Sequence, residues 1–183
     1  HGLAALTGSL VFTQAKPALI RGLVEARVEP VLFGWSWDFV GDLAETVALI
    51  WPEEKGGHPV PHLTEVVETL STTGKVALPA VLTRWLDTMD STQRWALLKL
   101  ITGELRVGVS ARLAKTALAN YGVVDVNEIE ELWHGLAPPY LELFAWLEKR
   151  GEKPTVDGEA SFRPLMLATA LEESETQGLD PAD

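Results

Sequence analysis

Apolar side chains recur along most of this chain every three to four residues, the spacing that places them on one face of an α-helix. No stretch alternates apolar and polar residues in the way that a half-buried β-strand does. Prolines, glycines and capping residues divide the helical pattern into segments. The pattern therefore predicts an all-α protein with eight or more helices. They begin at or near Pro17, Leu43, Leu63, Ala77, Ser91, Ser110, Asn127 and Pro139, and the last two end near His134 and Arg150.

Three of the predicted helices begin with residues that are typical of caps. Asp42 precedes one helix and Glu45 lies in its first turn. The two carboxylates could form an acid pair, but the spacing favours a cap and a partner for the helix dipole. Ser110 precedes another helix, and Asn127 with Glu130 three residues later fits a capping box.

Two stretches of the chain share a Thr-Gly pair and its surroundings. The sequence at residues 6–10 is LTGSL and that at residues 101–105 is ITGEL, and each precedes a short loop and an amphipathic helix. With the loop that follows each of them, we refer to residues 6–16 as the first TG stretch and to residues 101–110 as the second. Their similarity predicts a two-lobed domain built from related helical hairpins, although helix ends can also resemble each other by chance.

The second TG stretch combines features that suit an anion. Gly103 and Gly108 let the backbone come close to a large ligand, and Arg106 between them could place a guanidinium on a phosphate. Ser110 begins a helix whose unpaired N–H groups favour negative charge. In the alternative interpretation, Gly103 only ends a helix, Gly108 supplies a positive φ and Arg106 is solvated.

The chain has 183 residues, 46% of them hydrophobic, which is enough for a sizeable core. It contains no cysteine, so neither a disulfide nor a thiolate metal site is expected. It has no apolar run of the roughly 18 residues that cross a bilayer, so we expect a soluble protein without a membrane role. The formal charge of −11 argues against nucleic acid when taken alone. Residues 84–115, however, hold six basic and three acidic side chains, so the net charge of the remainder is −14.

Other candidate motifs are weak. His58 and His62 have the spacing of two metal ligands on a helix, but the prolines between them prevent that helix, so we predict no metal site. Residues 153–158, KPTVDG, have too many residues between lysine and Asp-Gly for a nucleotidyltransferase nucleophile. The seven tryptophans are scattered, which favours core anchors over a base-stacking array. We predict no catalytic residue in this chain.

Three segments, in this order and spacing, resemble the N-terminal DNA-binding domain of ATP-dependent DNA ligases of the bacterial and archaeal type. They are VGDLAETVALIWP (residues 40–52), HLTEVVETLSTTG (62–74) and LLKLITGELRVGVSARLAKTALA (97–119). The closing FRPLMLATALEE (162–173) is similar to the connector that leads to the adenylation domain of those enzymes. We therefore expect a helical DNA-binding domain over residues 1–160 and a connector over residues 161–183.

The resemblance implies an all-helical, two-lobed domain that holds nicked duplex DNA from the minor-groove side without sequence preference. In the second lobe it implies contacts from Gly103, Arg106, Gly108 and Ser110. The first lobe is a looser match because Val11 stands where the second lobe has Arg106. The residues that we predict to bind DNA are Gly8, Lys16, Gly41, Lys99, Thr102, Gly103, Arg106, Gly108, Ser110, Arg112 and Lys115.

The same resemblance implies a parent enzyme that uses ATP and Mg²⁺ to seal nicks in replication, repair or recombination. Because the chain starts at His1 and lacks the lysine nucleophile, we expect a non-catalytic fragment that holds no cofactor. We expect a cytoplasmic, nucleoid-associated monomer whose partners are nicked duplex DNA and the adenylation and OB-fold domains. The acidic charge leaves a helical protein–protein scaffold as the main alternative, and a helical hydrolase is the third.

Overall fold

The structure is a computed structural model, and it describes residues 1–52, 59–103, 105 and 107–155. All regular structure in these ranges is helical, with ten helices and no strand, which confirms the predicted all-α class. Arg106 and the predicted connector over residues 161–183 lie outside the described residues, as does the predicted boundary at residue 160.

The helices are numbered in chain order. They are α1 (Gly2–Leu6), α2 (Pro17–Glu25), α3 (Pro30–Val40), α4 (Leu43–Ile50), α5 (Leu63–Thr72), α6 (Leu78–Thr88), α7 (Ser91–Thr102), α8 (Ala111–Gly122), α9 (Val126–Trp133) and α10 (Leu141–Leu147).

Most predicted helix starts agree with the structure, and several of them are fixed by a cap or by proline. Pro17 takes the first position of α2, where a missing N–H costs no hydrogen bond. The Asp42 carboxylate accepts a hydrogen bond from the N–H of Glu45 at 2.8 Å, so this pair caps α4 as expected. The Ser110 hydroxyl accepts from the N–H of Leu113 at 3.1 Å and caps α8.

Some details of the prediction are wrong. The cap of α9 is Asp125, whose carboxylate accepts from the N–H of Asn127 at 2.7 Å, because Asp125 comes where the chain is still extended. The last helix starts at Leu141 rather than at Pro139 and ends at Leu147 rather than at Arg150. Two helices, α1 and α3, were not predicted.

Helix α3 was missed because it is apolar on all sides and therefore has no clear helical period. Pro30 stands at its start, the carboxylate of Glu29 accepts from the N–H of Leu32 at 2.8 Å, and Gly41 ends it at φ 74°. Phe33 is buried, but the opposite side is exposed. The large apolar residues exposed on α3 are Val31, Leu32, Trp35 and Phe39, and Asp38 is exposed as well.

Two clusters of buried apolar side chains hold the helices together. The larger contains buried residues between Ala5 and Ile101, so it joins α1–α7. The smaller joins α8–α10 and takes Ala4 from α1. Helix α1 therefore packs into both clusters. The two clusters do not by themselves test whether the predicted lobes are related, and that part stays a prediction.

The tryptophans only partly follow the prediction that they anchor the core. Trp51 and Trp85 are buried, whereas Trp35 is 73% exposed on α3. No helix among the described residues is long and apolar enough to cross a bilayer.

Candidate nucleic-acid interface

The first TG stretch is a helix end closed by its threonine. The Thr7 hydroxyl donates to the carbonyl of Leu3 at 2.9 Å, and the N–H of Gly8 donates to the carbonyl of Ala5 at 3.3 Å. Gly8 has a φ of 68°, a left-handed conformation that a residue with a Cβ adopts only at a cost. Threonine thus satisfies the last turn of α1 and glycine turns the chain away from it.

The second TG stretch repeats these features at the end of α7. The Thr102 hydroxyl donates to the carbonyl of Lys99 at 3.3 Å, and the N–H of Gly103 donates to that of Leu100 at 3.4 Å. Gly103 has a φ of 76°. The sequence similarity of the two stretches therefore corresponds to the same local geometry, and Thr102 has a structural role in it.

The two TG stretches line one open groove of about 440 Å³. Thr7 and Gly8 form one wall, and Gly103, Gly108 and Ser110 belong to the other. Gly108 is also left-handed, at φ 75°. A Cβ built on Gly8, Gly103 or Gly108 would meet no atom within 4 Å, so packing does not require glycine there. The backbone at these three glycines is therefore accessible to a large ligand. We call this space the TG groove.

The helices that follow the two stretches begin with positive charge. Lys16 is the N-cap of α2, Arg112 lies in the first turn of α8, and both side chains are exposed. Neither helix has an acidic residue in its first turn. In contrast, the N-caps of α3, α4, α7 and α9 are acidic. A cation at the positive end of a helix dipole is unfavourable for the helix itself and favours an external anion there.

Lys115 contacts α9 and does not line the TG groove, although we predicted that it binds DNA. It is 8% exposed, its ammonium group bonds to the carboxylate of Glu130, and it lies 5.3 Å from the ring of Trp133. These contacts join α8 to α9. The structure therefore supports a packing role for Lys115.

The basic stretch over residues 84–115 does not form one charged surface. Arg94 is 4% exposed and donates to the carbonyls of Leu86 at 2.6 Å and Trp51 at 3.2 Å. With Lys115 also buried, two of its six basic side chains are engaged inside the protein. Arg84 and Arg112 are exposed. The number of basic residues in this stretch therefore overestimates the positive charge that a ligand would meet at the surface.

Lys99 is half-buried and joins α7 to the start of α4. Its ammonium nitrogen lies 2.5 Å from a carboxylate oxygen of Asp42. Burial raises the pKa of Asp42, but the hydrogen bonds from Lys99 and from the N–H of Glu45 outweigh burial and leave the pKa below its ordinary 3.8. Gly41, at φ 74°, lets the chain turn into this pair. Lys99 and Gly41 were predicted to bind DNA, and the structure shows the interactions that hold both in place.

Because of this ion pair, the stability of the folded protein depends on pH. Because the pKa of Asp42 is lower in the folded state, its contribution is complete above pH 3.8 and disappears as the pH falls through the folded value. We expect Asp42→Asn, which can still cap α4, to lower the free energy of unfolding by about 1 kcal/mol at pH 7.

Urea unfolding of both proteins at several pH values measures this difference, which should shrink below about pH 4. Glu142→Gln, in the first turn of α10, is the control that removes one carboxylate elsewhere. A difference between wild type and Asp42→Asn that persists unchanged at low pH would contradict an ionic origin.

Arg21 is a candidate that the sequence did not reveal. It lies on the exposed side of α2, and its guanidinium carbon is 5.0 Å from the ring centroid of Trp37 and 5.7 Å from that of Phe33. The sequence showed only a single arginine in a predicted helix. Its aromatic partners could not be assigned, because they lie on α3, which was not predicted.

Within the described residues, no group of three or more His, Asp or Glu could hold a metal ion.

Comparisons of the chain with protein-family models, with curated proteins and with solved structures found no match.

Proposed function

We propose that this chain binds duplex DNA through its phosphate backbone, as the DNA-binding domain of an ATP-dependent DNA ligase. The observation that carries the proposal is the TG groove, in which left-handed glycines from two stretches far apart in the sequence face the same open space. The resemblance of residues 40–52, 62–74 and 97–119 to ligase DNA-binding domains supplies the enzyme class.

The chemistry of the groove suits a phosphate backbone better than a base. Its walls offer backbone groups at three glycines without a projecting side chain and the capped start of α8 at Ser110. Apolar residues complete the lining: Leu6, Leu105, Val107 and Val109. Phosphate contacts of this kind carry no sequence information. Such contacts suit a domain that must hold a nick of any sequence from the minor-groove side of the duplex.

The proposal is compatible with a net charge of −11. A domain that is joined to other DNA-binding domains needs only a few phosphate contacts, because its partners raise its effective concentration at the DNA. In the proposed parent enzyme those partners are the adenylation and OB-fold domains, which use ATP and Mg²⁺. The parent serves replication, repair or recombination in the cytoplasm, at the nucleoid.

A helical protein–protein scaffold is the second candidate. The observation in its favour is the exposed apolar side of α3, where Trp35 is 73% and Phe39 92% exposed. The internal engagement of Arg94 and Lys115 also leaves fewer cations for DNA. A protein partner would cover α3, whereas DNA would cover the TG groove.

Binding to a fluorescent nicked duplex at increasing salt concentrations tests the proposal. We expect the affinity to fall steeply with salt, with a log–log slope of about −0.9 for each phosphate contacted, and to be equal for two unrelated sequences. Arg106→Ala should weaken binding several-fold and make the slope shallower by about one unit.

Arg84→Ala is the matched control, because Arg84 is exposed on α6 and does not line the TG groove. It should leave both the affinity and the slope unchanged. Absence of binding at the lowest salt concentration would contradict the proposal and favour the scaffold. Equal effects of Arg106→Ala and Arg84→Ala would remove Arg106 from the interface.

A further inference from the structure

A second open space adjoins the TG groove. It is a cleft of about 460 Å³ between the start of α2, the end of α3 and the end of α7. Its walls include Arg21, Trp37, Gly41, Asp42 and Thr102. Thr102 lines this cleft and Gly103, the next residue, lines the TG groove, so one helix end separates the two spaces.

Arg21 is held in this cleft by aromatic rings. Phe33 and Trp37 are one helical turn apart on α3, with ring centroids 6.4 Å apart, and the guanidinium of Arg21 lies within 5.7 Å of both. Rings that contact the face of a guanidinium leave its N–H edge available for hydrogen bonds. Within the described residues Arg21 makes these ring contacts and no ion pair. The rings therefore hold the N–H donors of Arg21 in place, and no acceptor among the described residues binds them.

The charge of the cleft is positive despite Asp42. Arg21 and Asp42 are the charged residues among those that line it. The carboxylate of Asp42 is bound by the ammonium of Lys99 at 2.5 Å and by the N–H of Glu45 at 2.8 Å, so an opposite charge already balances it. Lys16 precedes the first residue of α2 and is exposed. An anion that enters the cleft thus meets the uncompensated charge of Arg21.

We propose that Arg21 is a phosphate-binding residue, which contacts the same DNA strand or duplex that occupies the TG groove. A guanidinium presents two parallel N–H groups to phosphate oxygens, and one held by aromatic rings loses less freedom on binding. Phosphates follow one another every 3.4 Å of helix axis along a strand of duplex DNA, so DNA in the TG groove also offers phosphates to the adjoining cleft. Arg21 then supplies a cation on the helix that follows the first TG stretch, where Val11 replaces the arginine of the second.

This inference rests on the proposed function, and Arg21→Gln tests it with the full chain and the nicked duplex. We expect the dissociation constant to rise about fivefold at fixed low salt and the log–log salt slope to become shallower by about 0.9. Arg84→Gln, which removes the same charge from α6, should change neither. Thermal unfolding of both variants checks that each is folded.

Arg21→Lys separates an oriented guanidinium from a simple positive charge. Lysine keeps the charge but not the planar fork, so the salt slope should return to that of the wild type while the affinity recovers only in part. Full recovery of the affinity would overturn the role of the aromatic rings in placing Arg21.

The outcomes distinguish the inference from the proposed function. If the wild type binds DNA and Arg21→Gln behaves like Arg84→Gln, Arg21 is not a phosphate contact, and the proposed function stands. If the wild type does not bind DNA at any salt concentration, the proposed function fails and this inference fails with it.

Discussion

Replacing Arg94 by methionine is expected to lower the free energy of unfolding by about 3 kcal/mol, because buried carbonyl groups that lose their donors cost about 1–3 kcal/mol each. Arg94 donates to the carbonyls of Leu86 and Trp51, residues that are 0% and 2% exposed. Methionine fills a similar volume, so the change leaves little cavity and mainly removes the hydrogen bonds. Urea unfolding followed by tryptophan fluorescence measures the difference.

The same substitution at Arg84 is the control. Arg84 is exposed on α6, so Arg84→Met should change stability by less than about 0.5 kcal/mol. Arg94→Met should also leave the salt slope of DNA binding unchanged, since the side chain is inside the protein. Wild-type stability together with a shallower salt slope would show that Arg94 acts at the surface and would contradict its buried placement.

The contrast between Arg94 and Arg84 shows what the sequence could not predict. Both arginines lie in helical segments, and both counted equally toward the basic stretch. Arg94 is one turn into α7 and its chain reaches under the end of α4 to Trp51, a contact between residues 43 positions apart. Helical periodicity does not encode such a contact. Only the structure therefore shows that the side chain of Arg94 is inside the protein and that of Arg84 is at the surface.

Local signals were predicted with more success than tertiary ones. The caps at Asp42 and Ser110 and the glycine turn after Thr102 depend on a few neighbouring residues, and the sequence predicted all three. Arg21 depends on the packing of α2 against α3, a helix whose apolar residues face every direction. The groove shared by the two TG stretches likewise required the fold, since the sequence predicted two similar turns but not that they meet.

Gly103 offers the sharpest test of why glycine occurs in these turns. Its φ of 76° alone would explain the glycine, and so would close approach of a ligand backbone. Asparagine tolerates left-handed φ values better than other residues that carry a Cβ, and a Cβ added at Gly103 meets no atom within 4 Å. We therefore expect Gly103→Asn to change stability by less than about 1 kcal/mol.

If the backbone of the TG groove contacts phosphates, Gly103→Asn should still weaken DNA binding about tenfold, or about 1.4 kcal/mol, because a side chain at this position keeps the strand away from the backbone of the groove. Gly103→Val should show the same loss of binding and a further loss of stability of about 1–2 kcal/mol, since valine is strained at this φ. Fluorescence anisotropy with the nicked duplex and urea unfolding separate the two effects.

Gly74→Asn is the control for an asparagine placed away from the interface, because Gly74 is exposed between α5 and α6 and lines neither the groove nor the cleft. Wild-type binding by Gly103→Asn would mean that glycine serves only the turn, and the TG groove would lose its role as the DNA-contacting surface. Loss of binding by Gly103→Asn at unchanged stability, with no effect of Gly74→Asn, would leave access of a ligand to the backbone as the reason for glycine. The same comparison at Gly8 then asks whether the first TG stretch contributes equally, which a groove with two walls requires.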